Sequence, residues 1–176
     1  MRAALVTPTG EERLLGADEM IVSKTDLKGI ITYANQPFCR LAAMPEEELV
    51  GQPHNIIRHP DMPRCVFKLL WDTLAGREEV FAYVINLAAD GAHYWVFAHV
   101  TPTYDRSGQV IGYHSNRRCP DRQAITTVGG LYAQLRAEEK RHSNSAEGLA
   151  ASSAMLAAQL TSQGISYDEF IWRVTP

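Results

Sequence analysis

The amino-acid sequence predicts an α+β domain in which one antiparallel sheet carries helices on a single face. Three observations lead to this fold class. Short runs of β-branched and aromatic residues flank a turn within residues 20–33, and residues 65–74 carry apolar side chains at mostly helical spacing. Three further β-rich runs fall within residues 80–118. The order of two strands, helices and a three-stranded meander is typical of this class.

The first third of the chain is predicted to form a hairpin and two short helices. Residues 20–23 and 30–33 pair as strands around a turn. Asn35 then caps a helix, and residues 45–51 form a second helical turn that ends at a glycine. Residues 1–17 show no clear period over their first half, and we expect an arm or a short helix there.

A stretch from Arg58 to Pro63, here named the elbow, concentrates charge at the start of the longer helix. Pro60 biases His59 away from the α region. Pro63 fits a first helical turn, and Asp61 is placed to cap that turn. A cation, an imidazole and a carboxylate within four residues indicate a binding site, with an Arg58–Asp61 salt bridge as the plain structural alternative.

In the second half of the chain, the residue pattern changes from helical spacing to that of β-strands. Residues 80–87, 93–103 and 109–118 are predicted to be strands, and the middle one is dense in aromatic side chains. Asp90 and Gly91 between the first two are a strong hairpin signal. The three runs therefore form an antiparallel meander.

After residue 119 the composition shifts to a helical tail. Asp121 caps a helix that Gly129 and Gly130 interrupt, and residues 140–145 form a polar break. An alanine-rich helix follows, with a narrow leucine stripe that we predict to be buried: Leu149, Leu156 and Leu160. This tail docks on the exposed face of the sheet, on a twin subunit or on another protein.

Composition limits the function classes. The chain has 176 residues with 45% hydrophobic and 21% charged side chains, which are ordinary globular values. A net charge of −3 does not favour nucleic acid or an anionic membrane as a partner. The cysteines Cys39, Cys65 and Cys119 are scattered, and no apolar run approaches the roughly 18 residues of a membrane span. We expect a cytoplasmic, soluble protein.

Several segments together resemble a known family. They are Ser23–Leu27, Ile31–Asn35, Gly51–Asn55, the elbow, Asp90–Val96 and Gly112–Ser115. Residues 20–118 resemble a PAS domain, most closely the FAD-binding PAS domain of bacterial aerotaxis receptors. The resemblance implies a five-stranded PAS sheet with a ligand pocket on its inner face, FAD as the ligand and a redox or oxygen signal as the output.

The resemblance also implies a set of cofactor-binding residues. The elbow matches a motif that the family needs for FAD, which implies roles for Arg58, His59 and Asp61. Asn86 falls where the family has an asparagine on the isoalloxazine ring, and an amide can donate and accept there. The remaining candidates lie on the helix and the last two strands: Trp71, Trp95 and His114. Trp71 is either a core aromatic or a ring stacked on flavin or adenine. A histidine at His114 could hydrogen-bond flavin N5.

Two departures leave the ligand open. His54 stands where light-oxygen-voltage domains carry their adduct-forming cysteine, and Val80 stands where the aerotaxis receptors have a tryptophan. A haem is therefore the alternative ligand, because PAS haem domains use an axial histidine. The axial candidates are His54, His59, His99 and His114.

The sequence thus predicts a sensory module and leaves two alternatives, a haem gas sensor and a cofactor-free dimerisation or scaffold module. We expect no enzyme, since no nucleophile–base pair, metal spacing or phosphate loop is present. The expected domains are an arm over residues 1–17, a PAS domain over 18–119 and a helical tail over 120–176. The expected partners are a second copy in a homodimer and a signalling protein such as a chemoreceptor or kinase.

Overall fold

The computed structural model describes residues 6–176, which form one five-stranded sheet and six α-helices. In chain order the elements are β1 Ile21–Thr25, β2 Ile31–Ala34, α1 Gln36–Ala42, α2 Glu46–Leu49, a 3₁₀ turn His54–Ile57, α3 Arg64–Ala75, β3 Val80–Leu87, β4 His93–Tyr104, β5 Val110–Arg118, α4 Arg122–Lys140, α5 Ser145–Ser162 and α6 Tyr167–Val174. The predicted fold class is confirmed. No helix within residues 6–176 combines the length and the apolar character needed to cross a bilayer.

The sheet consists of the predicted hairpin and the predicted meander, joined through their first and last strands. The strand order is β2-β1-β5-β4-β3, and every neighbouring pair is antiparallel. Asn35 caps α1 as expected, because its side-chain oxygen accepts a hydrogen bond from the Phe38 N–H at 3.2 Å. Gly91 closes the β3–β4 turn at φ +89°, a conformation that favours glycine.

Alternate residues of each strand point to opposite faces of the sheet. Val84 and Asn86 face the side covered by α1 and α3, here named the inner face. Tyr83 and Ile85 face the other side, the outer face, where the tail packs. The Tyr132 hydroxyl of α4 donates to the Tyr83 carbonyl at 2.6 Å, so the tail docks on the sheet of its own chain.

The tail differs in two details from the expectation. Helix α4 runs unbroken through Gly129 and Gly130. A Cβ at Gly129 would make an ordinary contact with the Trp95 ring at 4.0 Å, and a Cβ at Gly130 would meet open space. Of the leucine stripe, Leu156 is buried, whereas Leu149 and Leu160 are half-buried against the core. The predicted polar break separates α4 from α5.

The elbow does not cap α3 through Asp61, which corrects the expectation. The N-cap residue is Pro63, and the Asp61 side chain is 68% exposed, 3.9 Å from His59 Nδ1. The carboxylate of Glu139 in the last turn of α4 takes that role instead, because it accepts the N–H groups of Arg64 at 2.7 Å and Cys65 at 3.3 Å. The Asp61 side chain turns to solvent and makes no hydrogen bond to the first turn of the helix.

The N-terminal segment is an extended arm in its described part, since residues 1–5 lie outside the described residues. The Arg13 N–H donates to the His93 carbonyl at 2.8 Å, and the His93 N–H donates to the Glu11 carbonyl at 2.8 Å. The arm therefore lies beside the start of β4 rather than forming a helix.

Candidate functional site

A cavity of about 380 Å³ lies between the inner face of the sheet, α3 and the loops that precede it. Its size is within the usual range of small-molecule sites. The lining residues that matter below are Ser23, Lys28, Gly29, His54, Arg58, Phe67, Lys68, Trp71, Asn86, Tyr113, Ser115 and Arg117.

The charges that line this cavity are all of one sign. Among the described lining residues there are four cations, Lys28, Arg58, Lys68 and Arg117, and no Asp or Glu. The whole chain has a net charge of −3, so this positive concentration is local. Guanidinium and ammonium groups bind phosphate and carbonyl oxygens, which makes the cavity suited to an anionic or oxygen-rich ligand.

Asn86 is buried at 3% exposure near the end of β3, and its side-chain Nδ2 has no hydrogen-bond partner. A buried amide donor without a partner costs free energy unless a ligand or water satisfies it. Its backbone pairs with that of Arg58, which places the elbow directly beside the amide. This orphaned donor fits the predicted contact with a flavin ring.

Arg58 also lines the cavity, as predicted. Its Nη2 donates to the Met62 carbonyl at 3.0 Å, and its guanidinium lies 4.7 Å from the centre of the Phe67 ring. No salt bridge joins it to Asp61, so that alternative does not hold within the described residues. Burial lowers the pKa of Arg58, and the Glu139 carboxylate raises it in part. The remaining guanidinium N–H groups are free to meet a ligand.

Trp71 lies at the mouth of the cavity, 39% exposed. Its ring contacts the Tyr113 ring edge-on at a centroid distance of 5.5 Å. Gly29 faces the same ring, since a Cβ there would lie 3.1 Å from it. Val80, where the resemblance implies a tryptophan, is buried in an apolar cluster that Tyr113 also contacts. An aromatic pair therefore lines this end of the cavity without the missing ring.

Arg117 on β5 is the residue that sequence reasoning missed. It is buried at 2% exposure, and its Nη2 donates to the Ser23 hydroxyl. Its guanidinium stacks 4.4 Å from the centre of the Phe38 ring, while Nε and Nη1 have no partner. Strand alternation was the available signal, because Tyr113, Ser115 and Arg117 share one face of the strand.

His54 lines the cavity beside this arginine. Its Nε2 lies 3.3 Å from the Ser23 hydroxyl, and its ring stacks on Phe38 at 5.8 Å. Burial of the ring, with the Arg117 charge as the second cause, lowers the pKa of His54 from 6.5 to about 3. The imidazole is therefore neutral at physiological pH.

Four predicted cofactor residues do not line this cavity. Trp95 and His114 point to the outer face, where Trp95 stacks on Tyr132 at 6.0 Å. Their strands pair so that Asn86 opposes Tyr94 and Thr101 opposes His114, which turns both side chains away from the cavity. We expected them to contact the cofactor, and the register of the sheet corrects this.

The other two predicted cofactor residues that do not line the cavity, His59 and Asp61, belong to the elbow. His59 is buried at 5% exposure with its Nδ1 accepting the Asp61 N–H at 3.0 Å, and its ring faces His93 at 5.9 Å. Burial lowers the pKa of His59. His59 and Asp61 shape the bend that positions Arg58, and neither reaches the cavity.

The haem candidates separate in the same way. Of the four histidines proposed as axial ligands, His54 lines the cavity, whereas His59, His99 and His114 do not. His99 lies on the outer face, where it stacks on Phe81 at 4.2 Å and pairs with Glu79 at 2.6 Å. Residues 6–176 contain no cluster of three or more metal-ligating side chains.

Comparisons with solved structures agree with this architecture. A light-oxygen-voltage domain studied with a flavin analogue superposes with a TM-score of 0.55 at 19% identity, over 70% of this chain and 87% of that one. A PAS domain from Colwellia psychrerythraea superposes with a TM-score of 0.52 at 22% identity, over 57% of this chain and 85% of that one. At these identities the similarity shows the fold alone.

Curated proteins match at higher identity. The chain is 40% identical over 129 residues to the aerotaxis receptor of Escherichia coli (strain K12), which covers 73% of this chain and 25% of the receptor. It is 32% identical over 97 residues to the nitrogen fixation regulatory protein of Klebsiella pneumoniae, which covers 55% of this chain and 20% of that protein. The chain thus spans a quarter or less of the length of these relatives. A family model for the PAS fold matches residues 16–116, more than half of the chain, and the chain therefore belongs to the PAS family.

Proposed function

We propose that this protein is a PAS sensory module that holds FAD in the inner-face cavity and reports the redox state of the flavin, and through it the oxygen level, to a signalling partner. The observation that carries the proposal is the cavity itself: four cations, no lining carboxylate, an orphaned buried amide at Asn86 and an aromatic mouth at Trp71.

The residues present fit the parts of a flavin dinucleotide. Asn86 supplies an amide for the polar edge of the isoalloxazine ring. Arg58 and Lys28 supply positive charge for the pyrophosphate, whereas Lys68 is ion-paired with Asp72 on the same helix. Trp71 supplies an aromatic surface for stacking. The flavin, when bound, supplies the electron-accepting group, and the chain binds it and shields it from water.

The relatives support the same class of function. One of them, 40% identical over 129 residues, is an aerotaxis receptor. We propose that the output is of the aerotaxis type, with a chemoreceptor or kinase as the partner and a homodimer as the working unit. The haem reading is the weaker one, because His54 is the single axial candidate that lines the cavity.

The first test is an absorption spectrum and cofactor extraction on gently purified protein. We expect the blue-light absorption of oxidised flavin with vibronic shoulders, and FAD in the extract. A Soret band would show that the bound cofactor is haem instead of flavin. A colourless protein that also fails to bind added FAD would exclude the proposal and favour the scaffold module.

Two variants test the site itself. Asn86→Ala removes the orphaned amide, and we expect at least a tenfold loss of FAD affinity; Asn116→Ala on the outer face of β5 is the matched control and should bind normally. Arg58→Ala should also weaken FAD binding, whereas Arg106→Ala in the exposed β4–β5 turn should not. Equal affinities in a variant and its control would contradict the assignment of that residue.

A further inference from the structure

We propose that Arg117 is the internal cation that balances the negative charge gained by the flavin ring on reduction, and that it thereby raises the midpoint potential of the bound flavin. This inference rests on the proposed flavin function and assigns one residue within that site.

The guanidinium group of Arg117 is held in a fixed position at the cavity wall. Arg117 is 2% exposed and lines the cavity, and one of its nitrogens donates to the Ser23 hydroxyl. Its flat face lies 4.4 Å from the centre of the Phe38 ring, which fixes the plane of the group. Nε and Nη1 are buried without partners. The side chain is thus held in place with two donors left over.

The positive charge of Arg117 has no carboxylate partner among the described residues. No described carboxylate lines the cavity or pairs with Arg117. Burial lowers the pKa of Arg117 to about 10, while the nearby Tyr94 hydroxyl raises it, so the group stays charged at neutral pH. A buried charge without a partner is costly, and the cost falls when a ligand brings negative charge or acceptor oxygens to it.

Reduction of a flavin supplies that charge. The ring takes up two electrons from an electron donor and one proton from solvent, and it is left with one negative charge delocalised at its polar edge. Arg117 transfers nothing in this step. Its fixed positive charge lowers the free energy of the reduced ring more than that of the neutral oxidised ring, since a low-dielectric site screens the attraction weakly. The equilibrium therefore shifts towards reduction.

The test is a potentiometric titration of FAD-loaded protein with dithionite as the electron donor. In Arg117→Gln we expect the preference for reduced over oxidised flavin to fall at least tenfold relative to wild type. For a two-electron couple, a tenfold change lowers the midpoint potential by about 30 mV. Arg117→Lys keeps the positive charge, and its bound flavin should have a higher midpoint potential than that in Arg117→Gln. The matched control is Arg118→Gln, which removes the same charge one residue along on the outer face and should leave the potential unchanged.

A second pair of variants keeps the test decisive where Arg117→Gln does not fold. Ser23→Asp places a carboxylate against the guanidinium and neutralises it while the arginine remains packed on Phe38; Ser23→Ala removes only the hydrogen bond. We expect a lower potential in Ser23→Asp than in Ser23→Ala. If wild-type protein binds no flavin, the proposed function fails; if it binds flavin and neutralisation of Arg117 leaves the potential unchanged, this assignment alone is overturned.

Discussion

The carboxylate of Glu139, in the last turn of α4, accepts a hydrogen bond from the backbone N–H of Arg64, the first residue of α3, at 2.7 Å. The same carboxylate bonds the side chains of Arg136 and Ser152, and its side chain is 1% exposed. Because α3 forms a wall of the cavity, the tail holds the start of a cavity-lining helix. This contact is a direct structural link between the tail and a wall of the cavity.

Removal of this carboxylate should destabilise the protein. Glu139→Ala leaves two backbone N–H groups and the Arg136 guanidinium without their acceptor, and we expect a loss of about 3 kcal/mol in the free energy of unfolding. Urea unfolding followed by circular dichroism measures this. The neighbouring Glu138→Ala, which breaks surface contacts to Arg141 and His142, is the control and should cost far less. Similar losses in both variants would show that the buried contact contributes no more to the free energy of unfolding than the surface contacts do.

The same carboxylate should make stability depend on pH in the acid range. Burial raises the pKa of Glu139, but its bonds from Arg136 and the α3 backbone outweigh this, so the pKa lies below its ordinary value of 4.5. A lowered pKa gives stability that is complete above the unfolded value and is lost as pH falls through the folded value.

We therefore expect the stability gap between wild type and Glu139→Gln to shrink as pH falls below 4.5. Urea midpoints for both proteins from neutral to acid pH measure the gap. A gap that stays constant over this range would contradict the role assigned to the ionised carboxylate.

The mouth of the cavity gives a third prediction. Gly29 has φ +77°, and a Cβ there would lie 3.1 Å from the Trp71 ring. Gly29→Ala should displace that ring and weaken FAD binding about tenfold in a titration. Gly108→Ala is the matched control, because Gly108 has φ +80° in open space and so carries the same backbone cost of about 1 kcal/mol without the contact. Normal binding in Gly29→Ala would mean that the ring position does not matter.

The tail gives a fourth prediction. Truncation after Glu139 removes α5 and α6, and with them the buried Leu156 and the contacts of Trp172 with Phe81 at 4.8 Å and Phe97 at 6.3 Å. The uncovered apolar surface should cause aggregation, visible as a larger solution mass and lower solubility. Trp172→Ala, which keeps both helices, should have a smaller effect. An unchanged mass and solubility after truncation would refute the docking role of the tail.

Local patterns were sufficient for most of the secondary structure. The hairpin, the Asn35 cap, α3 and the three meander strands follow from alternation, helical spacing and turn residues that act over a few positions. Asn86 and Arg58, which the resemblance implied as cofactor residues, both line the cavity. Their contact with a cofactor stays a prediction.

Side-chain direction was harder to predict where it depended on register. Trp95 and His114 were expected at the cofactor, but cross-strand pairing turns both to the outer face, whereas Arg117 turns inward. A shift of one residue in a strand exchanges the two faces. Alternation groups Tyr113, Ser115 and Arg117 on one face, but it does not say which face meets the cavity.

The amino-acid sequence alone was enough to specify the strands, the helices and a charged bend before α3, because these depend on neighbours along the chain. The PAS arrangement of the strands was implied by the resemblance of the matched segments. Tertiary structure decided which charges meet in the cavity and that Glu139 caps α3 from 75 residues away. Both depend on contacts between distant segments, whose free energy is realised only when the tail and the sheet are packed together.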